Sequence, residues 1–407
     1  MIRIAGCALV LFSFELRAQE TWPQWRGLTR DGQVKSEKPW PTSFQPDRLK
    51  RVWRKPLGPS YSGPIVSRDM VFVTETKNKE SEVVYALDRA DGTLRWNAEW
   101  KGSMTVPFFA AANGSWIRST PALDGDRLYV AGMRDLLVCL DAKSGKEHWR
   151  VDFMEQFKSP LPAFGFVSSP LVDKDGVYVQ AGASAFKLRK EDGKVVWRAL
   201  DDAGGMYGSA FSSPVFAELS GRKQLLVQTR EKLAGLEPET GSTLWTQSVP
   251  AFRGMNILTP TVFNDGIFTS TYQNKSWMFK VKPDDFQVSE AWSNNAQGYM
   301  SSPVVVNGHA YLHLANKRFT CIDLKTGKRT WTSDKAFGAY CSLVAQGKRI
   351  LALDSRGTLL LMAADPTKFD LIDSQKAADS DSWAHLAVCG DELYIRDLDG
   401  VSAFRWR

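Results

Sequence analysis

Short apolar runs alternate with turn residues along the chain, and the same order of signals keeps returning. Ser-x-Pro, or a near variant, stands at 62–64, 119–121, 168–170, 212–214, 258–260 and 301–303. Each is followed by a brief apolar run, a turn and an alternating strand such as VYVQ at 177–180 or AYLHL at 310–314. Asx-Gly between apolar runs, as at Asn307-Gly308, is a strong hairpin signal. Two degenerate units extend the series: residues 341–344 lead into ILALD at 350–354, and residues 384–388 lead into LYIR at 393–396. In the last unit His385 takes the register of the proline. Eight inner hairpins follow from this count.

A second marker, Asp-x-x-(Thr/Ser)-Gly-x-x-x-Trp, predicts the outer half of each unit. DAKSGKEHW at 141–149 and DLKTGKRTW at 323–331 are clear copies; DRADGTLRW at 88–96, RKEDGKVVW at 189–197 and EPETGSTLW at 237–245 are looser. Asp can accept from turn N–H groups, and Gly supplies the positive φ that a short hairpin needs. The tryptophan then falls on an outer strand, where it can cover the gap to the neighbouring unit. Trp96, Trp149, Trp197, Trp245, Trp292 and Trp331 each end such a strand, and FDLID at 369–373 ends a seventh. The last unit has no outer strand of its own. The missing one stands at the other end of the chain, as RVWR at 51–54 with Trp53.

Units spaced at roughly 40–50 residues cannot bury their own apolar faces and must stack on one another. The expected fold is therefore all-β: an eight-bladed propeller of four-stranded blades over residues 51–407. Its ring is closed by the N-terminal strand completing the C-terminal blade, which leaves no open sheet edge. Residues 19–50 form an extension packed on the propeller.

With 43% hydrophobic and 24% charged residues the composition is that of a soluble globular chain. The 15 tryptophans are explained first by the repeat. Arg3, the apolar stretch 4–14 and Leu16-Arg17-Ala18 read as a signal peptide over residues 1–18, too short to span a bilayer. A periplasmic or extracellular protein with no transmembrane segment is expected. The apolar stretch mostly follows Cys7, the wrong order for a lipoprotein box, so simple export is favoured over lipid anchoring at Cys7. Cys139, Cys321, Cys341 and Cys389 form no adjacent pair; spacing leaves their disulfide status open, with buried core thiols expected. A net charge of +7 suits anionic envelope polymers, and export argues against nucleic acid.

The chain resembles the PQQ-like (quinoprotein-type) repeat β-propellers. The family's Ala-x-Asp-x-x-Thr-Gly-x-x-x-Trp docking motif is matched at 86–96, 139–149 and 321–331, with Cys replacing the small first residue in two of these. WPQWRG at 22–27, followed by Asp31-Gly32, is similar to the lead-in of exported bacterial members. The resemblance implies one of two outcomes. One is a cofactor-free scaffold, as in the propeller lipoprotein of the outer-membrane β-barrel assembly machine. The alternative is an alcohol or sugar oxidoreductase holding pyrroloquinoline quinone (PQQ) and calcium.

The enzymes of the family usually carry an adjacent Cys-Cys pair and clustered acids that hold calcium; no neighbouring cysteines stand here, and no segment aligns to the acidic positions. The acidic clusters at 124–126, 173–176 and 397–400 fall in hairpin turns instead. The histidines are scattered: His309 and His313 share a strand face but are too far apart for one metal, and His148 is solvated. Neither catalytic residues nor a metal or cofactor is expected, and PQQ with calcium belongs only to the alternative.

What remains is aromatic. The loops leading from each outer strand to the next inner strand converge on one mouth of the ring. They present Tyr61, Phe109, Trp116, Phe166, Phe211, Phe252, Tyr299, Tyr340 and Trp383 as the candidate face for a ligand or partner, with Phe108, Phe164, Tyr207 and Phe337 beside them. Loops on a rigid scaffold are the usual seat of binding, and aromatics are favoured anchors. The expected partner is an envelope protein or polymer.

Overall fold

Alternating apolar residues bounded by Gly- and Asp-rich turns become antiparallel strands, and these assemble as eight four-stranded sheets in a ring, an eight-bladed β-propeller. This computed structural model describes residues 21–36, 38–45, 47–202 and 211–406. The signal peptide expected over residues 1–18, the question of lipid attachment at Cys7 and Tyr207 lie outside the described residues. In blade 1 the strands run Ile65–Val66, Met70–Lys77, Ser81–Asp88 and Leu94–Lys101 from the channel outward. Blades 2 to 7 repeat this order, from Ala122–Asp124 to Leu371–Lys376. Blade 8 takes three strands from the C-terminus, ending at Gly400–Trp406, and its outer strand Leu49–Pro56 from the N-terminal part. Trp53 pairs with Ala403 in that sheet, and the strand begins two residues before the expected 51. The ring thus closes as the unfinished last repeat requires.

The middle strands are almost wholly buried and supply the apolar layers between blades, such as Leu128, Val130 and Val138 against Val84 and Phe72. Cys139, Cys321, Cys341 and Cys389 are buried in four different blades, and no disulfide joins them.

The Trp-Gly motif is a joint between blades. Trp53, Trp96, Trp149, Trp197, Trp292 and Trp331 each donate Nε1–H to a carbonyl in the turn of the next blade, at 2.8–3.0 Å. In all but Trp331, whose turn has no glycine and offers Phe369 instead, the indole lies against the glycine of that turn. A Cβ on Gly145 would stand 2.4 Å from Trp96, and one on Gly193 would stand 2.6 Å from Trp149. Glycine is required there for close approach as well as for its φ of 73° and 71°. Trp245 departs from the pattern. The next turn carries Phe286, at φ 55°, where five of the others carry glycine, and the indole turns back to donate to Gln224 Oε1 at 2.7 Å in its own blade. Trp96, Trp149, Trp197 and Trp245 each stand third in their outer strands, Trp292 stands fifth of seven and Trp331 third of four, so none is the last residue of its strand as the sequence suggested.

Candidate functional site

The residues before each inner strand line the channel, and their hydroxyls bind blade to blade. The backbone N–H of Gly63 donates to Thr120 Oγ1 at 3.0 Å, and that of Thr120 to Ser169 Oγ at 3.0 Å. The series continues from Ser169 to Ser213, from Ser213 to Thr259 and from Thr259 to Ser302, at 2.9–3.1 Å. These are the middle residues of the Ser-x-Pro triplets. His385 belongs to this middle register, not to that of the proline: its carbonyl faces Gly63, where a Cβ would meet it at 2.6 Å. Burial, with the Arg26 charge second, lowers the His385 pKa to about 3, so its ring stays neutral.

The far end of the channel, where inner strands run into their hairpin turns, is closed by the N-terminal extension. Trp22 pairs with Val66, Pro23 O accepts from Leu123 N, and Val34 N donates to Ala345 O. Two buried arginines then reach across the channel in different directions. Arg30 donates to Ser169 O and Pro170 O in blade 3, and Arg26 donates to Pro303 O and Asp31 O beside blade 6. Neither is ion-paired among the described residues; desolvation lowers their pKa values to about 10 for Arg26 and about 9 for Arg30. Trp25 lies 5.5 Å from each guanidinium and forms the floor.

Above that floor opens a funnel of about 400 Å³. Seven of the nine aromatic residues singled out in the sequence line it: Tyr61, Phe109, Phe211, Phe252, Tyr299, Tyr340 and Trp383. Tyr272 stacks on Tyr299 at 4.3 Å, and Trp383 lies within 12° of parallel to Tyr340. Two of the nine do not line it. Phe166 is a core residue, packed edge-on to Phe153 between blades 2 and 3. Trp116 lies instead against Gly114, within its own long loop. Sequence reasoning missed Trp25, Arg118 and Arg253, which also line the funnel. Trp25 stood in plain view in the lead-in motif, but nothing local says that the lead-in enters the channel.

A calcium-held quinone asks for several hard oxygens, carboxylates among them. Among the described residues the funnel lining contains no Asp or Glu and does contain Arg118 and Arg253. Also among the described residues, no group of three or more His, Cys, Asp or Glu could hold a metal. This donor set does not fit calcium.

Residues 79–333 match the family model described as outer membrane protein assembly factor BamB. A relative of that name from Yersinia pestis is 23% identical over 262 residues, covering 60% of this chain and 63% of its own length. The chain therefore spans less than two thirds of that relative. Among solved structures, BamB from Moraxella catarrhalis superposes with a TM-score of 0.65 at 16% identity, over 88% of this chain and 98% of its own. Quinohemoprotein alcohol dehydrogenase from Comamonas testosteroni superposes with a TM-score of 0.69 at 13% identity, over 95% and 80%. At such identities the likeness is one of fold alone, and the fold serves both an assembly factor and an oxidoreductase.

Proposed function

The chain belongs to the outer membrane protein assembly factor BamB family, and from that premise we propose that its propeller is a non-catalytic scaffold. It works outside the cytoplasm and holds an envelope protein or polymer at the aromatic mouth of its funnel. The observation that supports this reading most is the funnel itself, a concave aromatic surface closed at its base and poor in groups that could do chemistry. Phe109 and Phe252 stand 47% and 44% exposed at its rim, where rigid aromatic side chains anchor partners at low entropic cost.

The test is photo-crosslinking in cells, with a photoreactive residue at Phe109 or Phe252 and a control at exposed Glu290 on the outer strand of blade 5. A discrete envelope adduct at both mouth positions and none at Glu290 is expected. The triple variant Tyr299→Ala, Tyr340→Ala, Trp383→Ala should lose the adduct while keeping the fold. Dye reduction by the protein mixed with PQQ, calcium and alcohols or sugars would overturn the scaffold reading.

A further inference from the structure

The funnel combines aromatic faces with the positive charge of Arg118 and Arg253. Arg118 projects into it with its guanidinium over the Tyr61 ring at 5.1 Å and Nη2 donating to Gly114 O at 2.7 Å. Its Nε is buried without a hydrogen-bond partner, and no carboxylate ion-pairs with Arg118 among the described residues. Arg253 lines the rim near Phe109 and Phe252. Arg26 and Arg30 add two buried charges beneath the Trp25 ring, hydrogen-bonded to backbone carbonyls apart from a contact of Arg30 with Gln24. A desolvated cation with no counter-ion is costly, and Arg118 with Arg26 and Arg30 beneath it gives this concave site a field that selects anions. The acidic Asp381 acts on Tyr61 from an exposed position and does not line the funnel.

Resting on the scaffold reading above, we infer that the group seated in the funnel is a partner peptide segment carrying an acidic side chain beside an aromatic one, with Arg118 as its ion-pairing group. The walls offer flat faces at Tyr299 and Trp383 for the ring, and the guanidinium offers N–H donors to the carboxylate. The closed floor prevents a chain from threading through. The volume admits a few side chains, not a folded domain.

The test uses the full chain and a fluorescent, end-capped hexapeptide with adjacent phenylalanine and aspartate, followed by anisotropy. Twins carry lysine for aspartate or alanine for phenylalanine, and free phenylacetate serves as a small carboxylate. The acidic aromatic peptide should bind at least about ten-fold tighter than either twin, and more weakly as salt rises. Arg118→Gln should weaken it about ten- to hundred-fold with unchanged melting, and Arg118→Lys should recover part of the loss. Should Arg118→Gln misfold, Arg253→Gln at the exposed rim provides the second reading, with a loss of about three- to ten-fold. Equal binding of the acidic and lysine peptides, indifference to both arginine variants, or phenylacetate binding as tightly as the peptide would overturn the inference. If peptide selectivity is absent while crosslinking to a partner persists, this inference alone fails. If crosslinking at the mouth is absent as well, the scaffold reading fails with it.

Discussion

At the scale of single residues, the Trp-Gly joint explains more of this sequence than any other contact. Two glycines separate its parts. Gly193 and Gly221 share a left-handed φ, 71° and 74°, but a Cβ at Gly193 meets Trp149 whereas one at Gly221 meets nothing within 4 Å. Gly221→Ala should cost about 1–2 kcal/mol from backbone strain, and Gly193→Ala a further 1–3 kcal/mol from displaced packing, both measurable by denaturant midpoint. Trp149→Ala, which empties the same joint, should cost about 3–5 kcal/mol. Equal losses in the two glycine variants would remove the joint as the reason for the motif. A second residue couples stability to pH. The Glu82 carboxyl lies buried between blades 1 and 2, and burial pushes its pKa up to about 8, outweighing the N–H groups of Met133 and Trp100 that it accepts. Between its ordinary value of 4.5 and about 8 the folded state keeps a proton that the unfolded state releases. Stability from this group therefore falls as pH rises through that window. Glu82→Gln cannot ionise, so its melting temperature should decline less between about pH 5 and pH 8 than that of the unmodified protein. Parallel declines would assign the pH dependence to other groups.

At the scale of elements, two segments of the N-terminal part do different work. Residues 49–56 complete blade 8, and residues 21–45 close the channel and brace blades across it. A chain starting at residue 49 should keep cooperative unfolding at a lower melting temperature. A chain starting at residue 57 should expose the edge of Gly400–Trp406 and aggregate on heating, as light scattering would record. The inner hairpins and the outer-strand motif were legible because each is a local device: turn glycines, alternating apolar residues and an Asp that caps its own turn. Asp141 accepts from the N–H groups of Lys143 and Ser144, as the motif suggested. The departures were not local. Phe286 in the glycine position could be read, but where the displaced Trp245 would turn depended on Gln224 two strands away in the same sheet.

At the scale of the whole molecule, the funnel is made by convergence. Apart from Tyr272, in a hairpin turn of blade 5, its aromatic wall comes from the loops between successive blades, and its floor comes from a segment far away in sequence. A spacing argument could place the aromatics on one mouth. It could not say that Phe166 turns into the core between blades 2 and 3, because that depends on the space left by Phe153 and Phe186. Nor could it show Arg118 without a carboxylate partner, since the lack of an acid in the lining is a property of all eight blades together. By itself the sequence determined the repeat, the number of blades and the closing strand, because periodicity and turn chemistry act within a few residues and are written in order. Only the tertiary structure decided which aromatics face the funnel, what closes its base and where positive charge stands unpaired, because those outcomes depend on residues that meet across the ring.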